Sequence, residues 1–218
     1  MILDYSQNNI FLKMFKKFFA ALSIASLSTV TPSFAQEDTT KGFYLTGAVG
    51  LGQMADIDIH SSDGGGVMEF ESGFAGDLGF GYDFGTIRTQ FTYSSLNSDL
   101  SKVQGTTVDV GVDVSSFLFE GAIDFRDGKD WQPYIGLGVG QSEISVNLAK
   151  TVGNVNIIVG DDNITSVIGK VGVAYKASDT VDVYAEGWAL AFDDFKIGTV
   201  EFYGCGMTGA SIGLRVRI

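Results

Sequence analysis

The 218-residue chain has one cysteine, Cys205, one histidine, His60, and only two prolines. A lone cysteine rules out an internal disulfide framework and a multi-cysteine zinc site, and it reads as a small apolar filler rather than a reactive thiol. Scarce proline beside 29 glycines and 12% aromatics suits one all-β domain better than a helical or disordered chain. After residue 35 no uncharged apolar run reaches about 18 residues, so no transmembrane helix is expected. Basic charge is short as well. Without residues 1–35 the chain keeps 11 basic against 25 acidic residues, a net charge of −14. That surface argues against nucleic acid as a partner and against anchoring by attraction to anionic headgroups.

The apolar stretch that does occur lies at the N-terminus and reads as a targeting signal. Lys16 and Lys17 give the basic start, "FFAALSIASL" the apolar centre, and Ser33–Ala35 a small-x-small cleavage site before Gln36. An apolar part of about 10 to 14 residues is too short for a membrane anchor. Met14 fits the start of such a signal better than Met1. Residues 1–35 are therefore read as N-terminal extension and signal peptide, residues 36–41 as a short N-terminal segment, and residues 42–218 as the folded domain.

From residue 42 onward, segments of about ten residues alternate in polarity between turn-rich or acidic stretches, the pattern of many short strands. Eight are expected, at 42–52, 73–83, 86–95, 107–125, 131–142, 164–176, 180–191 and 207–218. Connections alternate between tight turns ("DFGT", "RDGKD", "ASDT") and long loops at 53–72, 96–106, 143–163 and 192–206. A period of two sorts each strand into faces. One collects Phe74, Leu78, Phe80, Ile135, Leu137 and Val139 with their equivalents, and carries no Asp, Glu, Lys or Arg. The other takes Asp77, Arg88, Gln90, Glu120, Asp124, Lys170, Glu186, Arg215 and Arg217 with many glycines. A soluble sandwich would turn the apolar face inward. The polar face is too poor in charge and too rich in glycine for a solvated sheet, and its charges are of both signs. The pattern therefore predicts a sheet turned inside out: an eight-stranded antiparallel up-and-down transmembrane β-barrel, all-β, with Phe74, Leu78, Phe80, Ile135, Leu137 and Val139 facing lipid.

Two places break the alternation. Val108, Val110, Val112 and Val114 are apolar on the other phase from Phe117 onward, so a β-bulge at Ser115–Ser116 is expected, or a strand that rises above the membrane. A similar flip after Val139, at Ile144, Val146 and Leu148, suggests a protruding hairpin turning near "KTVGN" rather than two further barrel strands.

"WQPYIGLGVG" (131–140) resembles the strand-five signature of the OmpA/OmpX-like outer-membrane β-barrel domain, and "GFYLTGAVGLG", "TIRTQFTYS", "SSFLFEGAIDF" and "GASIGLRVRI" resemble its first, third, fourth and closing strands. The resemblance implies residence in a Gram-negative-type outer membrane, outer-membrane lipids as surroundings, and a closing strand read by the outer-membrane assembly machinery through Ser211, Gly213, Val216 and Ile218. Val216 and Ile218 stand where aromatics are usual, and Trp188 where members often carry an inward arginine. The chain stops at the closing strand, so the peptidoglycan-binding domain of full-length OmpA-type proteins is not expected.

Candidates for chemistry reduce to three. The mixed charges of the polar face, Asp77, Arg88, Gln90, Glu120, Asp124, Lys170, Glu186 and Arg215, are expected to pair inside a filled barrel rather than form an ion path. His60 with Ser61 and Ser62 sits in a glycine-rich loop, without the fixed geometry a nucleophile–base pair needs. The acidic groups Asp56/Asp58/Asp63, Asp161/Asp162 and Asp193/Asp194 do not match an EF-hand loop and read as solvated charge. The expectation is a monomer without catalytic, metal or cofactor site. It would act in envelope integrity, adhesion or as a surface antigen, with an extracellular partner at its loops. The alternatives are a lipid-modifying enzyme and a narrow solute channel.

Overall fold

The computed structural model describes residues 41–55, 57–61, 64–103, 106–126, 130–147, 161–193, 195–197, 200–202 and 206–218. The expected signal peptide, the "KTVGN" turn, Cys205 and the side chain of His60 lie outside the described residues. The strands are β1 (Gly42–Met54), β2 (Ile57–Ser61), β3 (Gly64–Phe70), β4 (Gly73–Asp83), β5 (Ile87–Val103), β6 (Thr106–Asp124), β7 (Trp131–Asn147), β8 (Asp161–Lys176), β9 (Val181–Phe192), β10 (Phe195–Ile197), β11 (Val200–Phe202) and β12 (Gly206–Arg217).

Eight of these form a closed antiparallel ring in the order β1-β4-β5-β6-β7-β8-β9-β12. Closure comes from β12 returning to β1, in register from Tyr44↔Arg217 to Met54↔Met207. Each ring strand is therefore bonded on both sides, which is the condition for a sheet to cross hydrocarbon without unsatisfied N–H and C=O groups. No helix among the described residues is long and apolar enough to cross a membrane. At one end the turns are tight. After β4, Gly85 takes a left-handed φ of 110°, its N–H donates to Asp83 Oδ1 at 2.8 Å, and Phe84 N–H reaches Ile87 O at 2.8 Å; a side chain at Gly85 would strain this turn.

The opposite end differs from the expected loops. Much of 96–106 is strand, because β5 and β6 continue as a hairpin past the barrel, and β7 and β8 stay paired as far as Ser145↔Asp161. Within 53–72 the hairpin β2–β3 adds to the upper part of β5, through Met68↔Val103 and Phe70↔Leu100. Within 192–206, β10 and β11 form a separate small hairpin.

The expected bulge at Ser115–Ser116 is absent. β6 keeps unbroken register with β5 from Ile123↔Ile87 to Leu100↔Val110, and with β7 from Asp124↔Tyr134 to Gly111↔Asn147. The irregularity lies farther up, between Leu100 and Lys102. From Val112 to Asp124 the even-numbered residues of β6 point inward, so Val112 and Val114 are buried beside Leu118 and Glu120. What changes along the strand is its surroundings. Below Ser115 the outward residues are Phe117, Phe119 and Ile123, all exposed, while the inward ones include Glu120 and Asp124. Above it, exposed or half-exposed Asp99, Asp113, Gln141 and Glu143 face outward while Val112, Val114, Ile144 and Ile164 fill the interior. The second expected explanation, a strand rising out of the membrane, accounts for the phase change. On β7 the apolar outer stretch covers residues 131–139, close to the roughly 9 to 11 residues a tilted strand needs to cross a bilayer.

Inward glycines match inward rings. Tyr44 lies opposite Gly81, Tyr134 opposite Gly172, Tyr184 opposite Gly213 and Trp188 opposite Gly209, each pair in direct cross-strand register. A Cβ on Gly213 would stand 2.5 Å from the Tyr184 ring and 2.6 Å from Gly47 O. The glycine gives up side-chain volume so that a ring can lie over the strand, as aromatic side chains do over sheet glycines.

The boundary between the two polarities is directly testable on β7. Leu137→Arg should lower stability by about 2 to 4 kcal/mol, as expected for a cation near the membrane midplane. Glu143→Arg, on the same face six residues on, should leave the urea unfolding midpoint in lipid vesicles within about 0.5 kcal/mol of wild type.

Candidate functional site

The candidate site is the barrel interior, because there the sequence concentrates charge and the fold removes it from water. Near the turn end, Arg88 Nε meets Asp124 Oδ1 at 3.0 Å. Arg126 Nη2 bridges Asp124 Oδ2 at 3.0 Å and Asp83 Oδ2 at 2.5 Å. Across the lumen, Asp182 Oδ2 takes Arg217 at 2.7 Å and Arg215 at 3.3 Å. Tyrosines separate these groups, with the Arg88 guanidinium 4.3 Å above the Tyr134 ring centre and that of Arg215 5.6 Å from the Tyr44 centre. Such stacking keeps a desolvated cation against the negative face of a ring.

One step farther in, Lys170 Nζ sits between two carboxylates, 3.0 Å from Glu120 Oε2 and 3.4 Å from Glu186 Oε1. Tyr134 donates its hydroxyl to Glu186 Oε2 at 2.6 Å, and Gln90 Nε2 donates to Glu120 Oε2 at 3.3 Å. Asp77, half-buried, accepts from Ser94 opposite it on β5. A cavity of about 20 Å³ beside Tyr44, Gln90, Glu120 and Lys170 has room for one water. Glu120 Oε1, without a partner in the protein, is the acceptor such a water would satisfy.

Above this layer the interior becomes apolar. Leu96, Leu118, Ile168, Trp188 and Leu190 pack together with Val114, Ile144 and Phe192. Polar atoms there are satisfied locally: Trp188 Nε1 donates to Ser211 Oγ at 3.0 Å, and Ser116, Ser142 and Ser166 form a hydroxyl chain at 2.7 and 2.9 Å across β6, β7 and β8. The lumen is thus blocked twice, by an ion-paired layer and by a dry one. Charged solutes meet Lys170 held between Glu120 and Glu186, and beyond it side chains at most 7% exposed.

All eight residues named from the sequence as the interior polar network, Asp77, Arg88, Gln90, Glu120, Asp124, Lys170, Glu186 and Arg215, project into this lumen. Sequence reasoning left out Asp83, Arg126 and Asp182, which complete the turn-end network. Asp182 shares the inward phase of Tyr184 and Glu186 and was readable from it. Asp83 closes a strand and Arg126 follows one, where alternation carries little information. Of the residues expected to face lipid, Phe74, Leu78, Phe80, Leu137 and Val139 are exposed on the outer wall and Ile135 is half-exposed beside them. At the turn end of that wall Phe43 meets Tyr82 in a T-shaped contact at 4.9 Å, Tyr82 and Phe84 pack tilted at 4.7 Å, and Trp131 meets Tyr175 at 4.8 Å, the positions of an interfacial aromatic belt. Ser211 and Gly213 point inward, Val216 and Ile218 outward. No group of metal-ligating side chains occurs among the described residues. His60 and Ser61 lie on β2, with Gly65 and Gly64 of β3 as their register partners.

In sequence the chain matches no protein-family model and no curated protein. In structure it is similar to Neisserial surface protein A, with 18% identity over 81% of this chain and 97% of that one and a TM-score of 0.59. It is also similar to the outer-membrane protein OprG of Pseudomonas aeruginosa, with 13% identity, 84% and 99% coverage and a TM-score of 0.52, and to the outer-membrane protein AlkL, with 12% identity, 86% and 95% coverage and a TM-score of 0.51. The fold is that of the small outer-membrane β-barrels. Within that fold, an eight-stranded wall encloses a lumen that its own side chains fill.

The ion-paired layers should respond unequally to truncation. Lys170→Met leaves Glu120 and Glu186 buried without a cation and should cost about 3 to 5 kcal/mol of unfolding free energy in urea titrations. Arg88→Ala should cost less, because Asp124 keeps Arg126 at 3.0 Å. Adding Glu120→Gln and Glu186→Gln to Lys170→Met should recover most of the loss.

Proposed function

We propose that this chain is an integral protein of a Gram-negative-type outer membrane, exported through a signal peptide cleaved after Ala35. Its role is structural or surface-interactive, expressed at the end where hairpins rise beyond the apolar belt. The observation that carries this reading is the doubly blocked lumen: among the described residues, a barrel filled by Lys170–Glu120–Glu186 and by the Leu118–Ile168–Trp188 layer leaves the lumen no open path for solutes and no substrate-sized cavity. What remains available is the exterior, an apolar wall for membrane lipids and an acidic, strand-built surface above it for an extracellular partner in adhesion, envelope integrity or antigenicity. The closing strand supplies Ser211, Gly213, Val216 and Ile218 to the outer-membrane assembly machinery. The protein acts as a monomer, without catalytic activity, metal or cofactor.

The test is fractionation of cells expressing the full chain, followed by gel migration with and without heating. Membrane recovery in the outer-membrane fraction, with the folded form running differently from the boiled form and a mature N-terminus at Gln36, is the expected result. Recovery in the periplasm without detergent would overturn the reading. In planar bilayers the folded protein should give no steady conductance, and Trp188→Gly together with Lys170→Ser should create one. Steady conductance by the wild-type protein would favour a channel instead, and altered lipid acyl chains in cells lacking the gene would favour an enzyme.

A further inference from the structure

The cations of the lumen differ in kind. Arg88, Arg126, Arg215 and Arg217 carry guanidinium groups, which stay protonated in proteins and are held here by Asp83, Asp124 and Asp182. Lys170 carries an ammonium, which becomes an amine nucleophile once it gives up a proton. A carboxyl to attack and a second to take that proton both lie beside it. Nζ is 3.0 Å from Glu120 Oε2 and 3.4 Å from Glu186 Oε1, and the three side chains are at most 7% exposed.

Lys170 on β8 and Glu120 on β6 meet across the intervening strand, and β7 leaves them room. Gly138 stands opposite Glu120 and Gly136 opposite Lys170. A Cβ at Gly138 would lie 2.7 Å from Glu120 Cγ and 2.9 Å from Ile168 Cγ2, so a larger residue there would push the pair apart. The Arg88–Tyr134 stack lies on the turn side of this layer and Leu118, Ile168 and Trp188 on the other, which keeps bulk water out. The two carboxylates are also held differently. On Glu120, Lys170 and Gln90 both donate to Oε2, while Oε1 has no partner in the protein. Glu186 is fixed at both oxygens, Oε1 beside Lys170 and Oε2 accepting the Tyr134 hydroxyl at 2.6 Å.

We propose that Lys170 and Glu120 join in an intramolecular amide, Nζ to Cδ, with Glu186 as the proton carrier. Lys170 passes one proton to Glu186 Oε1, and the free amine attacks Glu120 Cδ. A second proton leaves the nitrogen as the C–Oε2 bond breaks. Glu186 returns the first, so Oε2 departs as water, Oε1 remains as the amide carbonyl and Glu186 ends as it began. No oxidant or co-reactant is needed. The water-sized cavity of about 20 Å³ beside Glu120 and Lys170 gives the leaving oxygen a place to go. In bulk water, solvation of both ions opposes this condensation. Here the ions are already stripped of water and fixed on neighbouring strands, and groups so placed react with effective molarities of about 10⁵ to 10⁸ M. The amide keeps one N–H for Glu186 Oε1, and it ties β6 to β8 over β7. The arginine pairs cannot follow, because a guanidinium does not supply a free amine.

The test is the mass of the full chain, purified folded and then denatured. Wild type should be lighter than its processed sequence by one water. Trypsin should leave Lys170 uncut, within a branched peptide that joins the segments ending at Arg126 and Lys176. Lys170→Arg keeps the cation without the amine, and Glu186→Gln removes the proton carrier. Both should fold, as heat-modifiable migration reports, and both should show full mass and no branched peptide. Full mass with cleavage after Lys170 in the wild type would overturn the amide and leave a plain ion pair. A water loss that survives in Lys170→Arg would place it elsewhere in the chain and overturn the proposal equally. A branched peptide that persists in Glu186→Gln would remove Glu186 from the reaction.

Discussion

A sheet has two faces, and in this protein each face meets two surroundings in succession. Inside the bilayer the outer face must be apolar and every backbone group must be bonded between strands, because hydrocarbon satisfies neither charge nor amide. Closure of β12 on β1 meets the second demand and forces the first, since the same wall that hides its edges exposes its entire outer face to lipid. Beyond the bilayer the rule reverses and apolar side chains must turn inward. With register unbroken, the only way to obey both is to exchange the polarity of the two faces at one level. Ser115 and Ser116 on β6, and Gln141 on β7, mark that level.

The interior follows from the same constraint. In the membrane half, small lumen volume and low dielectric would make isolated charges costly by several kcal/mol each, so Arg88, Arg126, Lys170, Arg215 and Arg217 are each set against Asp or Glu at 2.5–3.4 Å. Glycines opposite Tyr44, Tyr134, Tyr184 and Trp188 give these rings room to lie across the strands. In the upper half, serine hydroxyls and one indole N–H satisfy one another, and the rest is dry packing. Filling, rather than opening, is what an eight-stranded lumen is suited to.

Much of this was legible in the chain because strand alternation with a two-residue period leaves only two faces to assign. Phe74, Leu78, Phe80, Leu137 and Val139 on one phase and Arg88, Glu120, Lys170 and Glu186 on the other identify the fold before any contact is known. The valine run at 108–114 was legible as a break but ambiguous in cause, since a bulge and a change of solvent produce the same one-residue shift in pattern. Only continuous register decides between them. Partners within the lumen were not legible at all: Arg126 reaches Asp83 from beyond its strand end, and Lys170 chooses Glu120 and Glu186 over Asp77 through barrel curvature, which no single strand encodes.

The most direct test of the polarity exchange is a nitroxide scan along the outward positions of β7 in a Cys205→Ser background, reconstituted in vesicles. Labels at 135, 137 and 139 should be relaxed more by oxygen than by a water-soluble nickel chelate, and the preference should reverse at 141, 143 and 145. Nickel accessibility that is high along the whole row, or oxygen preference that persists through 145, would contradict a wall that passes from hydrocarbon to water at Gln141.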